Sequence, residues 1–197
     1  GYPLFSRCVV RIDYAARVLE ILPSASFDYA GKGTVLPLTF EHRHPYINAS
    51  VTLPGRKPIE GRFVIDLGSA QALILSPGFI REERVHDAIP KTIEARSRGV
   101  GGQIPSRMGR VERLEIGGHR FDRPVTMLPI PDDTFVGAAG MLGNIGGEIL
   151  RRFTVIFVAT PSRTEHPTYR TLEEDVVRSV HDITGRYGTT EWTPIVL

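Results

Sequence analysis

The chain has 197 residues, enough to bury a real core, and its 41% apolar and 23% charged content is that of an ordinary globular protein. A formal charge of +2 is too small to argue for nucleic acid or an anionic membrane as a partner. No run approaches eighteen apolar residues, which excludes a bilayer-spanning helix, and the single Cys8 excludes an intrachain disulfide.

The 20 Gly and 15 Pro are scattered between short apolar runs. That distribution predicts many short strands joined by turns, and so a mostly β fold. The sequence opens at Gly1 with neither Met nor a signal-like segment and reads as a fragment or a processed form.

Residues 4–22 predict two short strands, Cys8 to Ile12 and Arg17 to Leu22, with Asp13 as a turn residue between them. Pro23 to Thr34 reads as loop. Strands follow at Val35 to Glu41 and Tyr46 to Leu53, then a Pro54-Gly55 and Lys57-Pro58 loop. His42 and His44 are spaced to share one strand face. Without a third ligand candidate nearby, they read as a solvated hairpin end.

The stretch GRFVIDLGSAQALILSP, Gly61 to Pro77, carries the most information. Phe63 to Ile65 and Ala72 to Leu75 read as buried strands joined by a tight turn. Asp66 sits at the mouth of the first, where a carboxylate is costly unless something pairs with it or uses it. Three roles are open to it: a turn cap with Gly68 supplying a positive φ, a metal ligand, or a catalytic carboxylate. No His, Cys or second carboxylate lies within a turn of it to support the metal.

Ser76-Pro77 opens a helix as N-cap and first-turn Pro, continued by Phe79, Ile80, Arg84 and Val85. From Thr92 the chain is extended again, interrupted by SRGVGGQIP from Ser97 to Pro105. A glycine-rich phosphate cradle opens a helix, but here a strand from Gly109 to Ile116 comes next. A mobile hairpin tip therefore fits better, and a nucleotide-binding function is disfavoured. Gly117-Gly118 closes a hairpin into Phe121, and Val125 to Ile130 is another strand. Asp132 and Asp133 are adjacent in a Pro-flanked loop, where neighbours point opposite ways, so they read as solvated. Asn144 to Gly146 leads into a short helix, Gly147 to Arg152, with Ile149 and Leu150 inward, and then a strand, Phe153 to Phe157. Beyond it the texture turns polar. Thr171 and Glu174 form a capping box, and Leu172, Val176, Val177, Val180 and Ile183 mark one face of a C-terminal helix.

Three segments in this order, FVIDLGSA (63–70), RGVGGQ (98–103) and NIGGEILRRFTVIF (144–157), resemble the retropepsin-like aspartic peptidases, specifically their bacterial aspartyl protease branch. The resemblance spans roughly Val35 to Phe157. It implies a closed β-barrel lobe with one short helix after an apolar-apolar-Gly loop, and a catalytic Asp66 supported by Leu67, Gly68 and Ser69. Gly99, Val100, Gly101 and Gly102 look like the flap that closes over a polypeptide substrate. Ile145 and Gly146 would form the loop behind the site. The resemblance implies neither cofactor nor metal, and it leans towards a periplasmic or secreted setting.

LFSRCVVRIDY, Leu4 to Tyr14, also aligns without gaps on ILRRFTVIFVA, Ile149 to Ala159. This suggests residues 1–30 as the closing helix and strand of a preceding lobe, 31–158 as a peptidase lobe, and 159–197 as a divergent tail. The chain then reads as the C-terminal lobe of a two-lobe protein.

Aspartic peptidases use two neighbouring carboxylates that share a proton, one activating water and the other polarising the scissile carbonyl. One Asp cannot fill both roles, so the resemblance implies a second lobe or a homodimer partner. By the same resemblance, the Gly68 amide would bond the carboxylate and the Ser69 hydroxyl its outer oxygen. Two departures stand out. Leu67 occupies the place of a Thr or Ser whose hydroxyl locks two such loops together, and an unpaired group there costs about 1–3 kcal/mol. Val158-Ala159 replaces the expected Asp-Tyr. Two functions follow: an aspartic endopeptidase lobe, or a catalytically silent lobe kept for peptide binding or dimerisation.

Overall fold

The computed structural model describes residues 2–24, 27–99, 102–130, 140–158, 178 and 195–196. In chain order the elements are α1 (Tyr2–Phe5), β1 (Cys8–Asp13), β2 (Val18–Pro23), β3 (Thr39–Glu41), β4 (His44–Thr52), β5 (Pro58–Asp66), β6 (Leu73–Leu75), α2 (Pro77–Glu82) and α3 (Val85–Ala88). Then come β7 (Ile93–Gly99), β8 (Gly102–Arg110), β9 (Arg113–Ile116), β10 (His119–Asp122), β11 (Val125–Pro129), β12 (Met141–Gly146), α4 (Gly147–Leu150), β13 (Thr154–Phe157) and β14 (Ile195–Val196). The fold is mostly β. The expected Asp132-Asp133 loop, the flap tip at Val100 and Gly101, and the C-terminal helix apart from Arg178 lie outside the described residues.

The chain divides into two compact units, Gly1–Lys32 with Leu150–Leu197, and Gly33–Ile149. The first holds a four-stranded sheet in the order β13-β1-β2-β14. Its core is Cys8, Val9, Val10, Ile21 and Phe157, and the Phe5 ring packs edge-on against Phe157 with centroids 4.9 Å apart. Asp13 caps the β1–β2 turn as expected, accepting from the Ala16 amide at 2.9 Å. The Arg11 and Glu20 side chains meet across the strands at 2.7 Å. β1 and β13 run antiparallel, with Arg11 opposite Ile156, the residue it aligns with in the sequence repeat.

The second unit is a ten-stranded sheet along the path β10-β9-β4-β5-β12-β6-β11-β8-β7, with β3 on β4. β8 and β9 are successive pieces of one extended stretch, yet β8 pairs with β11 and β9 with β4, far apart along that path. The sheet therefore curls back on itself through the chain. Among the described residues no ladder joins the two ends of this path, so the mostly β class holds without the expected closed barrel. The change of partner between β8 and β9 corrects the expected single strand from Gly109 to Ile116. At Val111 the amide turns to the Thr126 hydroxyl (3.4 Å), and at Glu112 to the Thr52 carbonyl (2.8 Å), so the chain changes partner there. Val111, Leu114, Val51, Leu53, Phe63, Leu73, Leu75, Leu128 and Ile145 are fully buried inside.

Local differences have plain causes. Residues 35–38 are not strand, and Val35 is 75% exposed, so only Thr39–Glu41 finds a partner in β4. His42 and Arg43 take positive φ in that hairpin turn, where both are exposed. Ser76 caps α2 through the Phe79 amide, but the helix stops at Glu83 because Arg84 adopts φ 46 before α3 begins. Gly117 and Gly118, at φ 54 and 82, make the two-residue turn between β9 and β10.

Candidate active site

β5 is a buried central strand because Phe63, Val64 and Ile65 have apolar neighbours on both faces. It ends at Asp66, where Leu67 and Gly68 turn the chain away. The half-buried carboxylate is held from its own loop: Oδ1 accepts the Gly68 and Ser69 amides, each at 3.1 Å. The Ser69 amide also reaches the Asp66 carbonyl at 3.2 Å. Two amides on one oxygen fix the plane of the carboxylate.

Sequence order suggests β5 and β6 as neighbours. Instead β12 lies between them, parallel to β5 and antiparallel to β6. Asn144, Ile145 and Gly146, expected as loop, are therefore strand, and Gly146 sits opposite Asp66. A Cβ on Gly146 would overlap the Gln71 carbonyl oxygen and press on the Ser69 side chain, so only glycine allows this approach. Gly143 meets the Ile74 carbonyl in the same way. The start of α4 completes the frame. Amides of Gly146, Gly147 and Glu148 donate to the carbonyls of Ala72 (3.0 Å), Ser69 (2.7 Å) and Gln71 (3.4 Å). Helix-start amides that have no intrahelical acceptor are thus spent on the loop that carries Asp66.

The other anticipated residues fall as follows. Leu67 is half-buried at the first turn position, and Gly68 is exposed. The Ser69 oxygen accepts the Gln71 amide at 3.3 Å. The donor found at the outer oxygen of Asp66 is instead Asn144, whose Nδ2 lies 3.5 Å from Oδ2. Ile145 points into the core and is fully buried. Gly99 pairs with Gly102 at the end of the β7–β8 hairpin, and Gly102 has φ 110. Among the described residues no group of three His, Cys, Asp or Glu side chains could hold a metal.

Asn144 is a residue of the site for which the sequence alone carries no signal. On a strand, positions 144 and 146 share a face, but that face is known only once β12 is registered on β5. Nothing local to NIGG announces it.

No family model matches the chain, and no curated protein does. Among solved structures it is similar to a retropepsin-like aspartic protease from Rickettsia conorii, at 15% identity and a TM-score of 0.45, over 64% of this chain and 92% of that one.

Proposed function

We propose that this chain supplies one catalytic carboxylate of an aspartic endopeptidase, Asp66, and that a second lobe or subunit supplies the other. The observation that carries the reading is the seating of Asp66. It is a half-buried carboxylate at the end of a buried strand, its plane fixed by the Gly68 and Ser69 amides and its loop backed by Gly146. A turn-capping Asp needs the two amides, but it does not need a second strand pressed behind it through glycine contacts.

In this mechanism the paired carboxylates share one proton. The ionised one takes a proton from a bound water as the water attacks the peptide carbonyl, and the protonated one donates to the carbonyl oxygen. The β7–β8 hairpin would cover the extended substrate and exclude bulk water. The substrate is a polypeptide, and the reaction needs no cofactor.

Leu67 favours a second reading, a catalytically silent lobe of the same fold that binds peptides or dimerises. Its side chain offers no hydroxyl to tie two Asp-bearing loops together.

Peptide cleavage at acidic pH, with and without pepstatin, separates the two for the wild type and Asp66→Asn. Activity lost on both treatments supports the peptidase. Activity indifferent to both removes it. An inactive monomer that still binds extended peptides supports the silent lobe.

A further inference from the structure

We infer that Asn144 is a positioning residue for Asp66, its carboxamide clamping the one carboxylate oxygen that the Asp66 loop leaves free. The inference rests on reading Asp66 as the catalytic carboxylate and adds a residue to that site.

The geometry has three parts. Oδ1 already accepts two backbone amides, so the loop has fixed one oxygen and left Oδ2 to be held by something else. Asn144 lies on β12 two residues before Gly146, the partner of Asp66, and so on the same face of the sheet. Its amide nitrogen stands 3.5 Å from Oδ2. The carboxamide must present its NH2 end here, because two oxygens would repel. Catalytic hydrogen bonds are often long in the unliganded state and shorten in the reacting complex.

Asparagine suits the position chemically. It donates without carrying a charge, and it cannot compete with Asp66 for a proton. It also leaves Oδ2 lone-pair space for water. Few charged groups surround the pair. β6, β12 and the 67–72 loop carry no titratable side chain. On the same face of the sheet, β5 offers Arg62 and Glu60 and β4 offers Tyr46 and His44, while α4 begins with Glu148; His44, Glu60 and Glu148 are exposed. The Arg62 guanidinium is engaged by the Tyr46 ring at 5.0 Å and by Glu41 at 2.6 Å.

The test needs no assumption about activity. Asn144→Asp sets a second carboxylate against Asp66, and like charges at that range disfavour the folded state only while both are ionised. The repulsion raises the folded-state titration of the engineered pair. The melting-temperature deficit relative to wild type should therefore be full near neutral pH and close towards about pH 3. The exchange variant Asp66→Asn/Asn144→Asp keeps one carboxylate and one carboxamide and should show no such pH-dependent deficit. A deficit that ignores pH, or one that the exchange leaves in place, overturns the clamp.

Activity then reads the positioning. Asn144→Leu should lower kcat about tenfold with KM within about twofold, the scale of one lost hydrogen bond to a charged group. An unchanged kcat overturns the role. A wild type that cleaves nothing removes the peptidase reading itself, while the thermal measurement still decides whether Asn144 holds Asp66.

Discussion

Gly146 lies directly opposite Asp66 across the parallel ladder of β12 and β5, and its missing side chain is what lets the Gln71 carbonyl of the Asp-bearing loop pack against β12. Gly146→Ala would force backbone against a methyl group, so a loss of about 1–3 kcal/mol is expected in denaturant unfolding. Gly78 is the control. It lies in the first turn of α2, and a Cβ there meets nothing within 4 Å. Gly78→Ala should be neutral or gain about 0.4–1 kcal/mol.

Ser76 joins two elements through one hydroxyl. Its oxygen accepts the Phe79 amide at 3.2 Å, capping α2, and its proton goes to the Met141 carbonyl at 2.6 Å. Both bonds are largely shielded from water, and Ser76 is 6% exposed. Ser76→Ala should cost about 1–3 kcal/mol by chemical denaturation. An effect below about half a kcal/mol would mean that water replaces the hydroxyl at little cost.

Leu67 bears on activity. A hydroxyl at that turn would supply one hydrogen bond between two Asp-bearing loops, about 0.5–1.5 kcal/mol net. Leu67→Thr should therefore raise kcat/KM for peptide cleavage about 2–10-fold. Unchanged or reduced cleavage in a properly folded variant would show that leucine suits its partner loop.

Asp13 makes a pH prediction in the other unit. The Ala16 amide above all, with help from the Thr154 hydroxyl and Arg11, lowers its carboxyl below the ordinary range. A lowered folded value stabilises at pH above the unfolded value and loses that benefit as pH falls through the folded one. The melting-temperature deficit of Asp13→Ala should accordingly be largest near neutrality and shrink in acid. A deficit that grows on acidification would contradict the sign.

Local chemistry made much of the chain legible before folding. The β1–β2 turn at Asp13, the Ser76 cap with Pro77, the Gly117-Gly118 hairpin and the strand into Asp66 each follow from residues within a few positions of one another. The Asp66 carboxylate does find the amides of its own loop, but Gly68 does not take the positive φ expected of it there. Strand limits were less legible. Val35 belongs to an apolar run but has no partner strand, and β8 breaks from β9 only because distant Thr52 and Thr126 take the next amides.

The sequence by itself determined that the protein is mostly β and that one acid stands where a buried strand ends, because hydrophobic period and turn chemistry act over short range. Only the tertiary structure decided that β12 enters between β5 and β6, that Gly146 backs Asp66, and that Asn144 faces its outer oxygen. Those facts are matters of register between segments far apart in the chain. Register is set by which strands exclude water together, and no local pattern encodes that.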